Sequence, residues 1–335
     1  MSRLTWRAAC VVVAGMLAAT LQACGGVDIE QAKQLANAGV AASDRMHIEA
    51  RQTATRMASW REGRVFFAVL VDGNRDLVMK SDGSDIAQLA KLLKKRADAI
   101  GALSSAYKSF QELAVYDAAG NTQAAAAAFF AQTNEFLKTA QELPGDAGSL
   151  AKGISPLDPQ VTEGLSLAFG VIAREVQRAK LAKASVALRT GVEKLAEVLK
   201  AERIYAVSIR QSIADDRHAL RTMARRRGIG SYEQPTKELL SEFDIVAVKD
   251  LDPAVLRSPQ AKAAVERILN DRYDAERATI GPTYDALLKL LDSMVEQHKQ
   301  LEAGRRISLA SIIALASELE GYYQRVHGAS AKSGS

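Results

Sequence analysis

Residues 174–228 constrain the fold more than any other part of the sequence. This stretch contains no proline, and its apolar side chains recur at alternating spacings of three and four residues, the pattern of a long helix that packs along one seam as in a coiled coil. At about 1.5 Å per residue such a helix extends roughly 80 Å, so other helices must pack along it or leave its seam in water. We therefore predict an elongated antiparallel bundle of very long helices. The seam positions are Leu188, Val192, Leu195, Leu199, Glu202, Ala206, Ile209, Ile213, Asp216, Leu220 and Met223.

Two acidic residues, Glu202 and Asp216, interrupt this seam. A charged side chain between packed helices reduces stability but can fix their register. The alternative is that the seam turns toward solvent where the acids occur. We expect the second arrangement, because the sequence does not identify a partner for either carboxylate.

The composition predicts an all-α fold, with one region that could differ. Aromatic residues make up only 5% of the chain and prolines number 7, which favours closely packed helices over a sheet. The apolar residues 65–71 are followed by the turn-forming residues 72–74 and by the apolar residues 77–79. This order is typical of a small β-hairpin within residues 64–80. A buried helix that breaks at the turn residues fits equally well, because hydrophobic periodicity cannot distinguish a strand from a helix in so short an apolar run.

Helical periodicity and chain breakers predict the remaining elements. Glycine and proline concentrate in residues 144–159, which we interpret as a linker between two halves. Gly281 and Pro282 predict a break or kink in a long helix that begins at Ser258. The other predicted helices cover residues 29–60, 82–117, 122–143, 233–248 and 307–327.

The N-terminus has the pattern of a secretion signal. Arg3 and Arg7 precede an apolar run, residues 8–19, that is short for a membrane span. The following residues, Leu21-Gln22-Ala23-Cys24, resemble the lipobox of bacterial lipoproteins, in which the cysteine is lipidated and becomes the first residue after cleavage. An ordinary secretory signal with an incidental cysteine is the alternative.

This resemblance implies a location in the cell envelope. In Gram-negative lipoproteins an aspartate after the lipidated cysteine tends to retain the protein at the inner membrane, and Gly25 stands there instead. The implied location is the outer membrane, facing the periplasm, with a palmitate-bearing lipid anchor on Cys24. Cys10 lies in the signal, so the mature chain would lack a second thiol for a disulfide or a thiolate metal site.

The net charge argues against bulk nucleic-acid binding. The signal holds 2 of the 44 basic residues and none of the 39 acidic ones, which leaves the mature chain with a small formal charge of +3. The sequence is thus divided into a signal peptide at 1–23, a tether at 24–28, an N-terminal helical region at 29–143, a linker at 144–159, a C-terminal long-helix bundle at 160–327 and a disordered tail at 328–335.

Catalytic and cofactor motifs are not evident. Asp215 and His218 have the i, i+3 spacing that helical bundles use for metals, but a di-iron site needs this pair twice. His298 falls on an apolar stripe, where a core position explains it better than a ligand role. Nucleophile elbows and phosphate-binding loops are also missing from the sequence. We therefore predict a protein that is not an enzyme, without cofactor or metal.

The function favoured by these observations is that of a lipid-anchored helical scaffold or adaptor for an envelope protein partner. One alternative is a bundle that binds or senses a small ligand among aromatic side chains. A second is a membrane-inserting protein, similar in layout to α-helical pore-forming toxins, that uses residues 65–79 as its hairpin. The aromatic residues of the first alternative are Tyr107, Phe110, Phe129 and Phe130.

Overall fold

A computed structural model describes residues 27–72, 83–115, 122–158, 174–226, 232–242 and 253–327. Every regular element in these ranges is an α-helix, which confirms the predicted all-α class. The helices are α1 (Ile29–Asp72), α2 (Gly83–Val115), α3 (Thr122–Gln141), α4 (Gly145–Lys152), α5 (Arg174–Arg226), α6 (Glu233–Glu242), α7 (Pro253–Leu256), α8 (Pro259–Glu302) and α9 (Ala310–His327).

Helix α5 is the predicted long helix, with 53 residues in one piece. Its seam is buried over its first two-thirds, where Leu195, Leu199 and Ala206 have no exposed surface. Because the apolar positions follow the helical period, burying them leaves most charged positions of α5 outside the core, with Glu202 an exception. The prediction of a single long helix is confirmed.

The long helices pair in antiparallel fashion. On α1 and α2, a ring nitrogen of His47 lies 2.9 Å from the carbonyl oxygen of Ala97, and Asn37 accepts a hydrogen bond from Gln111. Helices α5 and α8 run alongside each other in opposite directions, because residues early in α5 pair with the end of α8 and residues late in α5 pair with its middle. Helix α3 packs on α2 and α5, and α9 packs on α8 and α1. Antiparallel neighbours are the arrangement that short connections produce in helical bundles.

One hydrophobic core joins the two halves of the chain, from Val27 to Leu319. Residues 144–159, interpreted above as a linker, contain the short helix α4. The chain after α4 is held to α3, because the Asn134 side chain accepts from the Leu157 amide at 2.7 Å and donates to the Leu157 carbonyl at 2.9 Å. The two halves therefore pack as one body in the described residues.

The possible hairpin is not seen. Its first strand, residues 65–71, lies inside α1, which continues to Asp72. The helical alternative applies to this run because its residues extend a helix of 44 residues. Residues 73–82, which include the second strand of that hairpin, lie outside the described residues, as do residues 1–26 and 328–335. Within the described ranges, the helices lack the combination of length and hydropathy that a membrane span requires.

Helix α8 passes through Pro282 without a break. Proline removes one backbone donor from a helix and usually bends it. Two threonines beside the proline bind backbone carbonyls of the preceding turn, Thr279 that of Glu276 at 2.8 Å and Thr283 that of Thr279 at 2.7 Å. Of the predicted break or kink at Gly281 and Pro282, the break is therefore wrong, because the helix continues to Glu302.

The bundle is least packed at one end. We call residues 214–226 of α5, helix α6 and residues 259–279 of α8 the distal arm. Most described side chains on its α8 segment are exposed or half-buried. A small separate cluster of Tyr232, Leu239 and Val265 holds α6 to α8. The distal arm thus depends on few apolar contacts compared with the main core.

Candidate functional site

A cluster of buried polar side chains lies midway along the bundle. We call Glu49, Arg96, Glu202 and Tyr284 the central polar cluster; they come from α1, α2, α5 and α8. Arg96 donates to Glu202 at 3.1 Å, to the Tyr284 hydroxyl at 2.6 Å and to Glu49 at 3.3 Å. Tyr284 in turn donates to Glu202 at 2.6 Å. The cluster therefore links all four long helices at one level.

The position of Glu202 corrects an expectation drawn from the sequence. We expected the seam of α5 to turn toward solvent at Glu202, yet this residue is 0% exposed. Its charge is balanced by Arg96, which is equally buried. Asp216, by contrast, is half-buried, and the seam does become more exposed toward the distal arm.

The electrostatics of the central polar cluster keep Arg96 charged. Burial lowers the pKa of Arg96, but Tyr284, Glu202 and Glu49 outweigh burial and raise it. Burial raises the pKa of Glu202, against the attraction of Arg96. The second carboxylate oxygen of Glu202 has no hydrogen-bond donor among the described residues. A buried guanidinium shared by two carboxylates is strongly constrained in position, because separating it from either leaves an uncompensated charge.

A second buried network surrounds His298 on α8. Tyr107 and Ser185 lie 2.8 Å from the two ring nitrogens of His298, one on each side. Ser185 also donates to Glu302 at 3.1 Å, and Arg189 binds the same carboxylate. If Ser185 donates to Glu302, then Nδ1 of His298 donates to Ser185 and Nε2 accepts from Tyr107. A single tautomer of His298 therefore satisfies every hydrogen bond of this network.

This histidine network has the residue types of a catalytic relay but not the access. Ser185, Tyr107 and His298 are all 0% exposed. Burial also lowers the pKa of His298 to about 3, so the imidazole is neutral at physiological pH. A serine nucleophile needs a substrate beside it, and these side chains are covered by the core. The expectation that His298 is a core residue is confirmed.

The aromatic side chains considered above for ligand binding fill the core. Tyr107, Phe110, Phe129 and Phe130 are at most 2% exposed. A Cβ atom on Gly191 of α5 would lie 2.4 Å from the Phe129 ring, which shows how closely the helices approach there. The side chains therefore occupy the space that a ligand among them would need.

A cleft of about 50 Å³ lies beside the central polar cluster, between α1, α5, α8 and α9. Glu49 belongs to both the cluster and the cleft. Arginines from α1 and α5 line its walls together with Glu276. Unlike the histidine network, the cleft combines space with charged groups, which makes it the candidate ligand site of the described residues.

The pair Asp215 and His218 does not form a metal site in the structure. The Tyr273 hydroxyl donates to Asp215 and lowers the pKa of that carboxyl, and Arg277 acts in the same direction at 2.9 Å. The His218 ring stacks on Tyr273 with 4.3 Å between ring centroids. No group of three metal-binding side chains occurs in the ranges that the structure describes.

Sequence reasoning missed Arg96, Glu49 and Arg210. A signal for Arg96 was present: the apolar stripe of α2 steps seven residues at once, from Leu93 to Ile100, and Arg96 lies in the gap. An arginine on an apolar stripe and a glutamate on the seam of another helix suggest a buried pair. Cys24, the predicted lipidation site, lies outside the described residues.

Comparisons with protein families, curated proteins and solved structures found no match to this chain.

Proposed function

We propose that the protein is a non-enzymatic lipoprotein of the cell envelope, held at the outer membrane through Cys24, that acts as a helical adaptor and presents its distal arm to a protein partner. The observation that carries this proposal is geometric. The end of the bundle where Val27 begins the described chain and the least packed end are the opposite ends of α5.

The tether supports a fixed attachment at one end. Val27 is only 2% exposed and belongs to the core, three residues after Cys24. Three residues reach about 10 Å when extended. A lipid on Cys24 would therefore hold this end of the bundle against the membrane surface.

Contacts at that end place the start of α5 beside the tether. The Gln31 side chain, near the start of α1, accepts a hydrogen bond from the Ile307 amide at 2.8 Å. The Gln177 side chain of α5 donates to the carbonyls of Leu113 and Ala114 at 3.0 and 3.3 Å. These two residues end α2, and the end of α2 lies beside the start of α1 because the two helices are antiparallel. Because α5 begins at the tether and spans roughly 80 Å, its far end would stand well away from the bilayer.

The distal arm has the character of a contact surface. Arg217 pairs with Glu276 at 3.0 Å, and Asp215 pairs with Arg277, so its two helices are joined by polar contacts. Half-exposed Ile268 and Leu269 lie on α8 next to the small cluster of α6. Long helices that expose side chains at one end suit a partner that adds further helices.

The anchor is tested by Cys24→Ser. Lipidation adds about 0.8 kcal/mol of membrane affinity per buried CH₂, so multiple acyl chains make release from the bilayer negligible. We expect the wild type to take up labelled palmitate and to float with membranes, and the variant to do neither. An unlabelled wild type in the soluble periplasm would contradict the anchor.

The adaptor role is tested by photo-crosslinking in envelope preparations. A crosslinking amino acid at Ala275, exposed on the distal arm, should trap one reproducible partner. The matched control replaces Ala128, which is exposed on α3 of the main bundle. Equal yields from the two positions, or no product from Ala275, would argue against the distal arm as the contact surface.

A further inference from the structure

The cleft beside the central polar cluster contains an arginine with a buried donor that lacks a hydrogen-bond acceptor among the described residues. Arg210 of α5 lines the cleft, and its side chain is 16% exposed. Its nearest carboxylate oxygen, on Glu49, is 3.8 Å from Nη1, which is too long for a hydrogen bond. Nη1 is buried and has no hydrogen-bond acceptor among the described residues. Buried guanidinium donors are normally paired, so this one requires an explanation.

Arg210 lacks an acceptor because the Glu49 carboxylate already accepts hydrogen bonds from other donors. Its Oε2 accepts from Arg96 at 3.3 Å, and its Oε1 accepts from Thr53 at 2.9 Å. Arg210 therefore shares a carboxylate that already belongs to the central polar cluster. The Arg210 guanidinium also lies 5.7 Å from the centre of the Tyr284 ring, a cation–π contact that fixes its position without supplying an acceptor.

Two further arginines line the cleft. Arg217 is paired with Glu276 at 3.0 Å. Arg56 lines the opposite wall on α1. Arg210 is thus the lining arginine with a buried donor that lacks an acceptor among the described residues. An anion in the cleft would supply that acceptor.

We propose that this cleft binds a small oxyanion, a phosphate or carboxylate group, through the Arg210 guanidinium, with Arg217 at the same wall. Guanidinium groups bind such ions with paired, charge-assisted hydrogen bonds. A single water requires about 10–15 Å³ of comparable space, so a cleft of about 50 Å³ has room for a group of a few heavy atoms. A larger organic acid or phosphate ester would place its charged group here and its remainder outside.

The test is isothermal titration calorimetry of the full mature chain with inorganic phosphate and, separately, with acetate, at constant ionic strength set by sodium chloride. We expect saturable binding at one site for at least one of the two ions, and the ion that binds identifies the class of ligand. Arg210→Gln should weaken that binding about ten-fold or more, because charge-assisted hydrogen bonds are removed.

The matched control is Arg203→Gln. Arg203 lies two turns earlier on α5, carries the same charge and pairs with Asp285 at 2.9 Å, outside the cleft. Arg203→Gln should leave the affinity for the ion unchanged.

A second variant, Ala214→Leu, keeps every arginine and fills the cleft from the buried position 214. Ala214→Leu should abolish binding of the ion.

Three outcomes would overturn the proposal. The first is no saturable heat for either ion with the wild type. The second is equal weakening by Arg210→Gln and Arg203→Gln, since that would reflect general charge. The third is unchanged binding in a folded Ala214→Leu variant, since the ion would then bind elsewhere. Circular dichroism of each variant shows whether it is folded.

Discussion

Arg96 on α2 and Glu202 on α5 form an ion pair with 3.1 Å between nitrogen and oxygen, and neither side chain is exposed to solvent. The two residues lie 106 positions apart in the chain. Pairs of this kind are not strong sources of net stability, because burial of both charges opposes their attraction. They do, however, tolerate very little change, and the loss of one partner leaves the other charged in the core.

Arg96→Met should therefore lower the free energy of unfolding by about 3–5 kcal/mol, since Glu202 and Glu49 would remain without their guanidinium. Urea unfolding followed by circular dichroism measures this change. The control is Lys200→Met on α5, which removes an exposed ion pair with Asp292 on α8. That change should stay below about 1 kcal/mol. A comparable effect of both substitutions would contradict the role given to the buried pair.

The stability of the bundle should fall as the pH is lowered through the ordinary pKa of histidine. His298 has a pKa of about 3 in the folded protein, below its usual value of 6.5. Its contribution is complete above pH 6.5 and is lost as the pH falls from 6.5 toward 3, because the unfolded chain binds the proton first. At pH 4.5 the loss from this group approaches about 2–3 kcal/mol. Burial raises the pKa of Glu202 and so acts in the opposite direction, in every variant alike.

His298→Gln should flatten this pH dependence, although it also lowers stability at pH 7 by removing two hydrogen bonds. The relevant measurement is the difference between unfolding free energies at pH 7 and pH 4.5. If His298→Gln retains the wild-type difference, another group causes the pH dependence.

Two glycines should respond in opposite ways to alanine. At Gly191 a Cβ atom would lie 2.4 Å from the Phe129 ring and 3.0 Å from that of Phe130, so Gly191→Ala forces the aromatic side chains to move. Overpacking of this kind destabilises by about 1–3 kcal/mol. At Gly321 of α9 a Cβ atom meets nothing within 4 Å, and Gly321→Ala should stabilise by about 0.5–1 kcal/mol. Thermal unfolding should show a lower midpoint temperature than the wild type for Gly191→Ala and a higher one for Gly321→Ala.

The distal arm should exchange its amide hydrogens faster than the main bundle. Residues 262–275 of α8 have mostly exposed side chains, whereas residues 284–298 include several with no exposed surface. Helices with few buried apolar contacts open locally at low free energy. Hydrogen exchange with mass spectrometry compares these two peptides within one helix, and equal protection would contradict the packing difference.

Much of this fold follows from the sequence because helical periodicity is a local signal. The long seam of α5 is visible from its own residues, and its burial at Leu195 and Leu199 agrees with it. The central polar cluster was not predicted because its members are far apart in sequence. Glu202 alone looks like a solvent-facing acid, and only the position of Arg96 changes that interpretation.

The candidate ligand site was less predictable still. Its distinguishing feature is that Glu49 already serves Arg96 and Thr53, which leaves Arg210 without a hydrogen-bonded acceptor. That property depends on distances between three helices and has no sequence pattern. The run at residues 65–71 stayed open between strand and helix for another reason: a short apolar segment suits either, and only its continuity with α1 decides between them.

The central polar cluster also affects the order in which the chain can fold during synthesis. A ribosome releases Glu49, Arg96 and Glu202 long before Tyr284, and until α8 arrives the ion pair has water on the side that α8 later covers. The central polar cluster is therefore incomplete until α8 has been synthesised, and we expect the main core to close only then, because domains generally fold as units. For the exported lipoprotein proposed above, this order would keep the chain open for passage through a narrow translocation channel.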